Sequence, residues 1–220
     1  MEVGFVIPAA VGVSEWVLRR GETPQRPTRA GWAEALLLAA AFVWVLVMIL
    51  AEQEDLIPVG ILLGITAIIV FFVRLWPQLR AASLVARNPN RHALMAGVFV
   101  AATFVYAFWM LGAAEGDMGA VPPGQQVSFI HLLAIGGTTN ALLAFVIHVS
   151  RLDTAPSRMD DAVFWGVNIG LIGFVVALAA DVRGLIVVFV PIMGLALLLA
   201  IGVHVTALRA GRPGEAETIP

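Results

Sequence analysis

The stretch WAEALLLAAAFVWVLVMILA, Trp32–Ala51, a short acidic turn, and then IPVGILLGITAIIVFFVRLW, Ile57–Trp76, decide the fold. Each run carries a single charge, Glu34 in the first and Arg74 in the second. At ~1.5 Å of rise per residue, about twenty helical residues cross the ~30 Å hydrocarbon core of a bilayer. Two such runs joined by a turn are a transmembrane helical hairpin.

Working outward, similar runs fall at His92–Ala113, Val127–Ser150, Ala162–Ala180 and Gly184–Leu208, and a shorter one at Val3–Leu18. The shorter run lacks a basic leader and precedes Arg19 and Arg20. It therefore reads as a short or tilted first helix rather than a cleaved signal. The expectation is an all-α, multi-pass protein of the cell membrane with about seven transmembrane helices. Arginines gather after alternate spans: Arg19, Arg20, Arg26 and Arg29; then Arg80, Arg87 and Arg91; then Arg151 and Arg158; then Arg209 and Arg212. Acidic residues gather at the other ends, at Glu52, Glu54, Asp55, Glu115 and Asp117, where Arg183 is the exception. The positive-inside bias then places the N-terminus outside and the C-terminus in the cytoplasm.

Composition agrees. Of 220 residues, 60% are hydrophobic and only 13% are charged. Soluble domains are nearer a quarter charged. The net charge of -2 provides no basic field, so nucleic acid is not an expected partner. The bilayer is, with other membrane subunits or further copies of the chain as additional partners. There is no Cys, which removes thiol catalysis and disulfides, and no Lys, which removes Schiff-base cofactors. No nucleotide loop, zinc-protease helix or nucleophile elbow is present.

A partial repeat organises the chain. The end of one span, a basic loop and two further spans occur at 5–81 and again at 141–210. This divides the protein into three spans at 1–85, a four-helix module at 86–209 and a disordered cytoplasmic tail at 210–220.

The fifth span carries the most chemistry: His131, then Gly136 and Gly137, then Thr138, Thr139 and Asn140, ending at His148 and Arg151. An intramembrane histidine faces protein, water or a ligand. Read from the residues alone, His131 is a hydrogen-bonded histidine near the outer interface, and the paired glycines admit a neighbouring helix or a flat ring. Neutral imidazole also ligates membrane haem. His131 and His148 are about 25 Å apart along one helix and cannot share an iron. Met110 is the one soft partner on offer opposite His131. His92, His148 and His204 fall at the cytoplasmic ends of their spans, as interfacial histidines or as a second, inner site. Asn140 and Asn168 suit interhelical hydrogen bonds or a solute path. Glu15 is expected to pair with Arg19 one turn on, and Pro191 to kink the last span.

The order His131-Leu132-Leu133, Gly136, His148, Arg151, with Phe164-Trp165-Gly166 and Asn168 following, resembles the subunit-I proteins of the haem–copper oxidase and nitric-oxide-reductase superfamily and the related NnrS-type membrane proteins. The resemblance implies haem b held by His131, for electron transfer, haem handling or a nitric-oxide response. The chain departs from those families at Phe129, where they often carry a histidine, and it has no copper cluster. Separately, Pro77-Gln78 resembles the motif of PQ-loop transporters, which implies a small-solute carrier, although that family carries two such motifs. A non-catalytic helical subunit of a membrane complex is the third reading.

Overall fold

A computed structural model describes residues 2–19, 28–81, 89–149 and 158–210. The basic loops and the tail 211–220 lie outside the described residues. Among those described, everything folded is helical. The helices are α1 Glu2–Leu18, α2 Arg29–Leu50, α3 Ile57–Arg74, α4 Trp76–Ala81, α5 Pro89–Ala113, α6 Pro123–His131, α7 Asn140–Val149, α8 Arg158–Ala179 and α9 Arg183–Ala210. Between α6 and α7, residues Leu132–Thr139 form a π-helical segment, so Pro123–Val149 is one continuous rod.

Six helical rods are long and apolar enough to cross a membrane: α2, α3, α5, α6–α7, α8 and α9. The chain is therefore an α-helical, multi-pass membrane protein. The apolar part of α1, Val6–Leu18, falls short of that length. It is nevertheless central, burying Ile7, Ala10, Val11, Val17 and Leu18 against α5 and α7. The same cluster takes in Phe71 and Leu75 and also Ala96, Val100 and Ala144, so packing runs across the expected boundary at 85/86.

Two hairpins flank this centre. In the first, α3 packs on α5 while α2 lies outside; in the second, α8 packs on α6 while α9 lies outside. Only 17% of the α2 span and 17% of the α9 span is buried inside the protein, which leaves their remaining faces for lipid. The inner helix is the second of one hairpin and the first of the other, an order that simple duplication of the 5–81 and 141–210 stretches does not produce.

Three helices end in the same way. Glu52, Glu115 and Asp181 adopt positive φ of 56°, 53° and 52° after α2, α5 and α8. In each turn the next amide donates to a carbonyl five residues back: Gln53 to Met48, Gly116 to Leu111, Val182 to Ala177. This is the Schellman cap, which satisfies carbonyls left open at a helix end. An acid occupies the left-handed position that glycine usually fills.

Candidate functional site

The least expected feature is an ionic cluster where α1, α2 and α3 meet. Arg74 reaches back from the end of α3 and bonds both carboxylate oxygens of Glu15, through Nη1 to Oε1 and through Nη2 to Oε2 at 2.6 Å. Its Nε and Nη2 also donate to Oε2 of Glu34, at 3.1 and 2.6 Å. Arg19 Nε donates to Glu15 Oε1 at 2.8 Å, which is the pair read from the sequence. The Glu34 and Arg74 side chains are 5% and 10% exposed, so these charges sit in protein rather than at a wet rim. Arginine suits the place, since its planar fork serves two carboxylates at once.

The cluster lies at one end of a cleft between α1 and α2, helices that touch little elsewhere. A cavity of about 390 Å³ is lined by Glu15, Glu34 and Arg74 together with Gly12, Gly31 and Ala39. A second, apolar cavity of about 500 Å³ continues from it, with Pro8, Leu38 and Phe42 lining both. Its far wall includes Met110, Phe129 and Ile130. Small-molecule sites span roughly 300–1,000 Å³ and are mostly apolar with few polar groups, and this cleft has that composition.

His131 is half-buried at the end of α6, with its ring edge-on to Phe174 at 4.9 Å. Its Nδ1 donates to the Val127 carbonyl at 2.8 Å, which leaves Nε2 as the bare nitrogen. That tautomer is the one an axial ligand uses. The space for a porphyrin is another matter. The flat ring admitted by Gly136 is that of Phe99: a Cβ added to Gly136 would lie 2.5 Å from its Cγ. Val100 takes the equivalent place beside Gly137. Met110 is buried and faces the apolar cavity, and His131 is not part of that lining. The residues within the bundle thus do not frame a haem beside the glycines.

His92 and His148 make separate packing contacts. His92 is 1% exposed, with Nδ1 2.9 Å from Asn140 Oδ1 and its ring edge-on to Phe164. His148 packs edge-on against Trp16 at 4.8 Å. His204 lies in α9, and its side chain is outside the described residues. Among the described residues no three of His, Asp and Glu come together in a way that could hold a metal ion.

Asn140 and Asn168 form the polar joint of the bundle. Asn140 Nδ2 donates to Asn168 Oδ1 and to the Gly136 carbonyl, both at 3.0 Å, and Asn168 Nδ2 donates to the Phe164 carbonyl. Arg91 is buried beside them, bonded to Asp161 and to the Asp160 carbonyl, with its guanidinium 4.6 Å above the Phe164 ring. Phe164 and Asn168 of the pattern that carried the family resemblance are therefore engaged in packing α8 onto α5 and α7, whereas Trp165 is exposed. Interhelical bonding by the Asn pair is legible in the sequence, whereas the roles of Glu34, Arg74 and Arg91 are not. A lone charge inside each of two apolar runs was the available signal; which charges meet depends on the fold.

Compared with known families, curated proteins and solved structures, the chain shows no match in any of the three.

Proposed function

We propose that this chain is a small-solute transporter of the cell membrane, with seven membrane helices, the N-terminus outside and the C-terminus in the cytoplasm. The observation that carries the reading is the ion cluster Glu15–Arg74–Glu34 lining the α1/α2 cleft. Ionisable residues within membrane helices are costly, and their usual role is on a substrate or ion pathway. The α2–α3 hairpin meets the centre chiefly through α3, and α2 touches α1 little outside the ion cluster. The Pro77-Gln78 resemblance points the same way. Because the chain has no native cysteine, Ala39→Cys places one thiol in the cleft without background. A transporter exposes that thiol in turn to impermeant thiol reagents added to either face of the membrane. A thiol that reacts from neither face, in a chain labelled normally at an exposed turn, overturns the reading.

A second reading, haem b, rests on the Nε2 left bare by the Val127 bond. With Phe99 beside Gly136, the residue that would hold such a haem is His131, and the group would supply one-electron chemistry there. A b-type reduced-minus-oxidised spectrum that disappears in His131→Ala is the required result. Absence of a Soret band after haem reconstitution ends it.

A further inference from the structure

Resting on the transporter reading, we infer that the solute is an amphiphile with an amine or ammonium head, seated on Glu34 and Glu15 with its apolar body in the adjoining cavity. The smaller cavity is lined by two carboxylates and the Arg74 guanidinium, and Arg19 bonds Glu15 beside them. Each ionised carboxylate offers about four lone-pair sites and only accepts. Arg19 and Arg74 engage Glu15 through both oxygens, whereas among the described residues the bonds to Glu34 all end on Oε2. Glu34 Oε1 is thus open to a donor. An anionic head brings only acceptors and makes no bond to that oxygen. A head without N–H or O–H would likewise make no bond there.

The apolar half matches the other end of such a molecule. Along α2 the lining continues from Glu34 through Leu38, Phe42 and Leu46 to Ile49. At the helical rise this is a single stripe about 22 Å long. Beyond Phe42 the wall is almost wholly hydrocarbon, with Thr103 and Gln126 as its polar members. A free hydrophilic amine would leave this cavity unused, and a plain alkane would strand the carboxylates. Trp44 does not line the cavity but packs against Gly60, which does, and supplies an optical probe.

The test uses the full chain in phosphatidylcholine nanodiscs, with Trp44 fluorescence quenched by ω-bromodecylamine, ω-bromodecanoate or ω-bromodecanol, and Trp44→Phe as the background. The expected result is saturable quenching by the amine, with the carboxylate at least ~10-fold weaker, as the loss of one charge-assisted bond implies. Glu34→Gln and the cavity-filling Leu46→Phe each weaken the amine about 10-fold, the first by removing charge and the second without touching the ion cluster. Replacing part of the lipid with phosphatidylethanolamine distinguishes the source: a weakened amine signal assigns the site to an amine-headed lipid, an unchanged one to a free amphiphile. Equal quenching by amine and carboxylate, or no effect of Glu34→Gln, overturns the inference. Two-sided labelling of Ala39→Cys alongside that failure would leave transport standing and only the solute class wrong. One-sided labelling with selective amine binding would do the reverse.

Discussion

At the scale of single residues, the protein is held by a few polar groups whose removal has unequal consequences. Arg74 is the clearest. Arg74→Leu leaves Glu34 buried without its cation, beside a partly exposed Glu15 that keeps only Arg19. Breaking such pairs costs about 3–5 kcal/mol. Thermal unfolding in detergent should fall sharply for Arg74→Leu and recover substantially when Glu15→Gln and Glu34→Gln are added to it. A stability unmoved by Arg74→Leu would show that the cluster is solvated. Arg74→Lys is expected to restore only part, because a point charge cannot serve both carboxylates as a fork does. Asn140 gives a second comparison. Asn140→Leu breaks the links to His92, Asn168 and the Gly136 carbonyl. Leaving buried partners unmet costs ~1–3 kcal/mol. Thr139→Val removes only a bond within its own helix, to Ala134, and should change the melting temperature much less. Equal effects would rule out the interhelical joint as a source of stability.

At the scale of elements, the π-helical segment and the caps show side chains setting backbone form. Within Leu132–Thr139, Thr138 and Thr139 hydroxyls donate to carbonyls five residues back, Leu133 and Ala134. That is the spacing of the wide turn itself. The paired glycines there do make room, and the occupant is Phe99 of α5. The acidic Schellman caps carry a left-handed cost that glycine avoids, and carboxylates at a helix C-terminus oppose the dipole. Glu52, Glu115 and Asp181 are not buried. Their replacement by Gly is expected to stabilise by ~0.5–1 kcal/mol each, seen as a higher unfolding midpoint. A lowered midpoint at any of the three would mean the carboxylate makes a compensating contact. The α8–α9 crossing should behave oppositely. A Cβ on Gly170 would lie 2.8 Å from the Met193 amide nitrogen. Gly170→Ala must therefore push two backbones apart, at a cost of about 1–3 kcal/mol.

At the scale of the whole molecule, orientation is the property most open to direct test. With no native cysteine, Asp117→Cys should react with impermeant reagents added outside intact cells, and Arg158→Cys only after the membrane is opened. The reverse pattern inverts the topology. The sequence alone was sufficient for the rods: the span read as Trp32–Ala51 is helix Arg29–Leu50, and Ile57–Trp76 is Ile57–Arg74. Span length and apolarity are local, since a bilayer forces every backbone polar group to be satisfied within its own helix. The Glu15–Arg19 pair was legible for the same reason, being one turn of one helix. What only the tertiary structure decided is which side chains face protein. Glu34 and Arg74 lie 40 residues apart, Arg91 and Asp161 70 apart, and an apolar run looks alike on its lipid and protein faces. The histidines that stand out in the sequence are spread through the bundle, while the charges that converge are separated by whole spans. Convergence in a membrane bundle follows helix packing and not order along the chain.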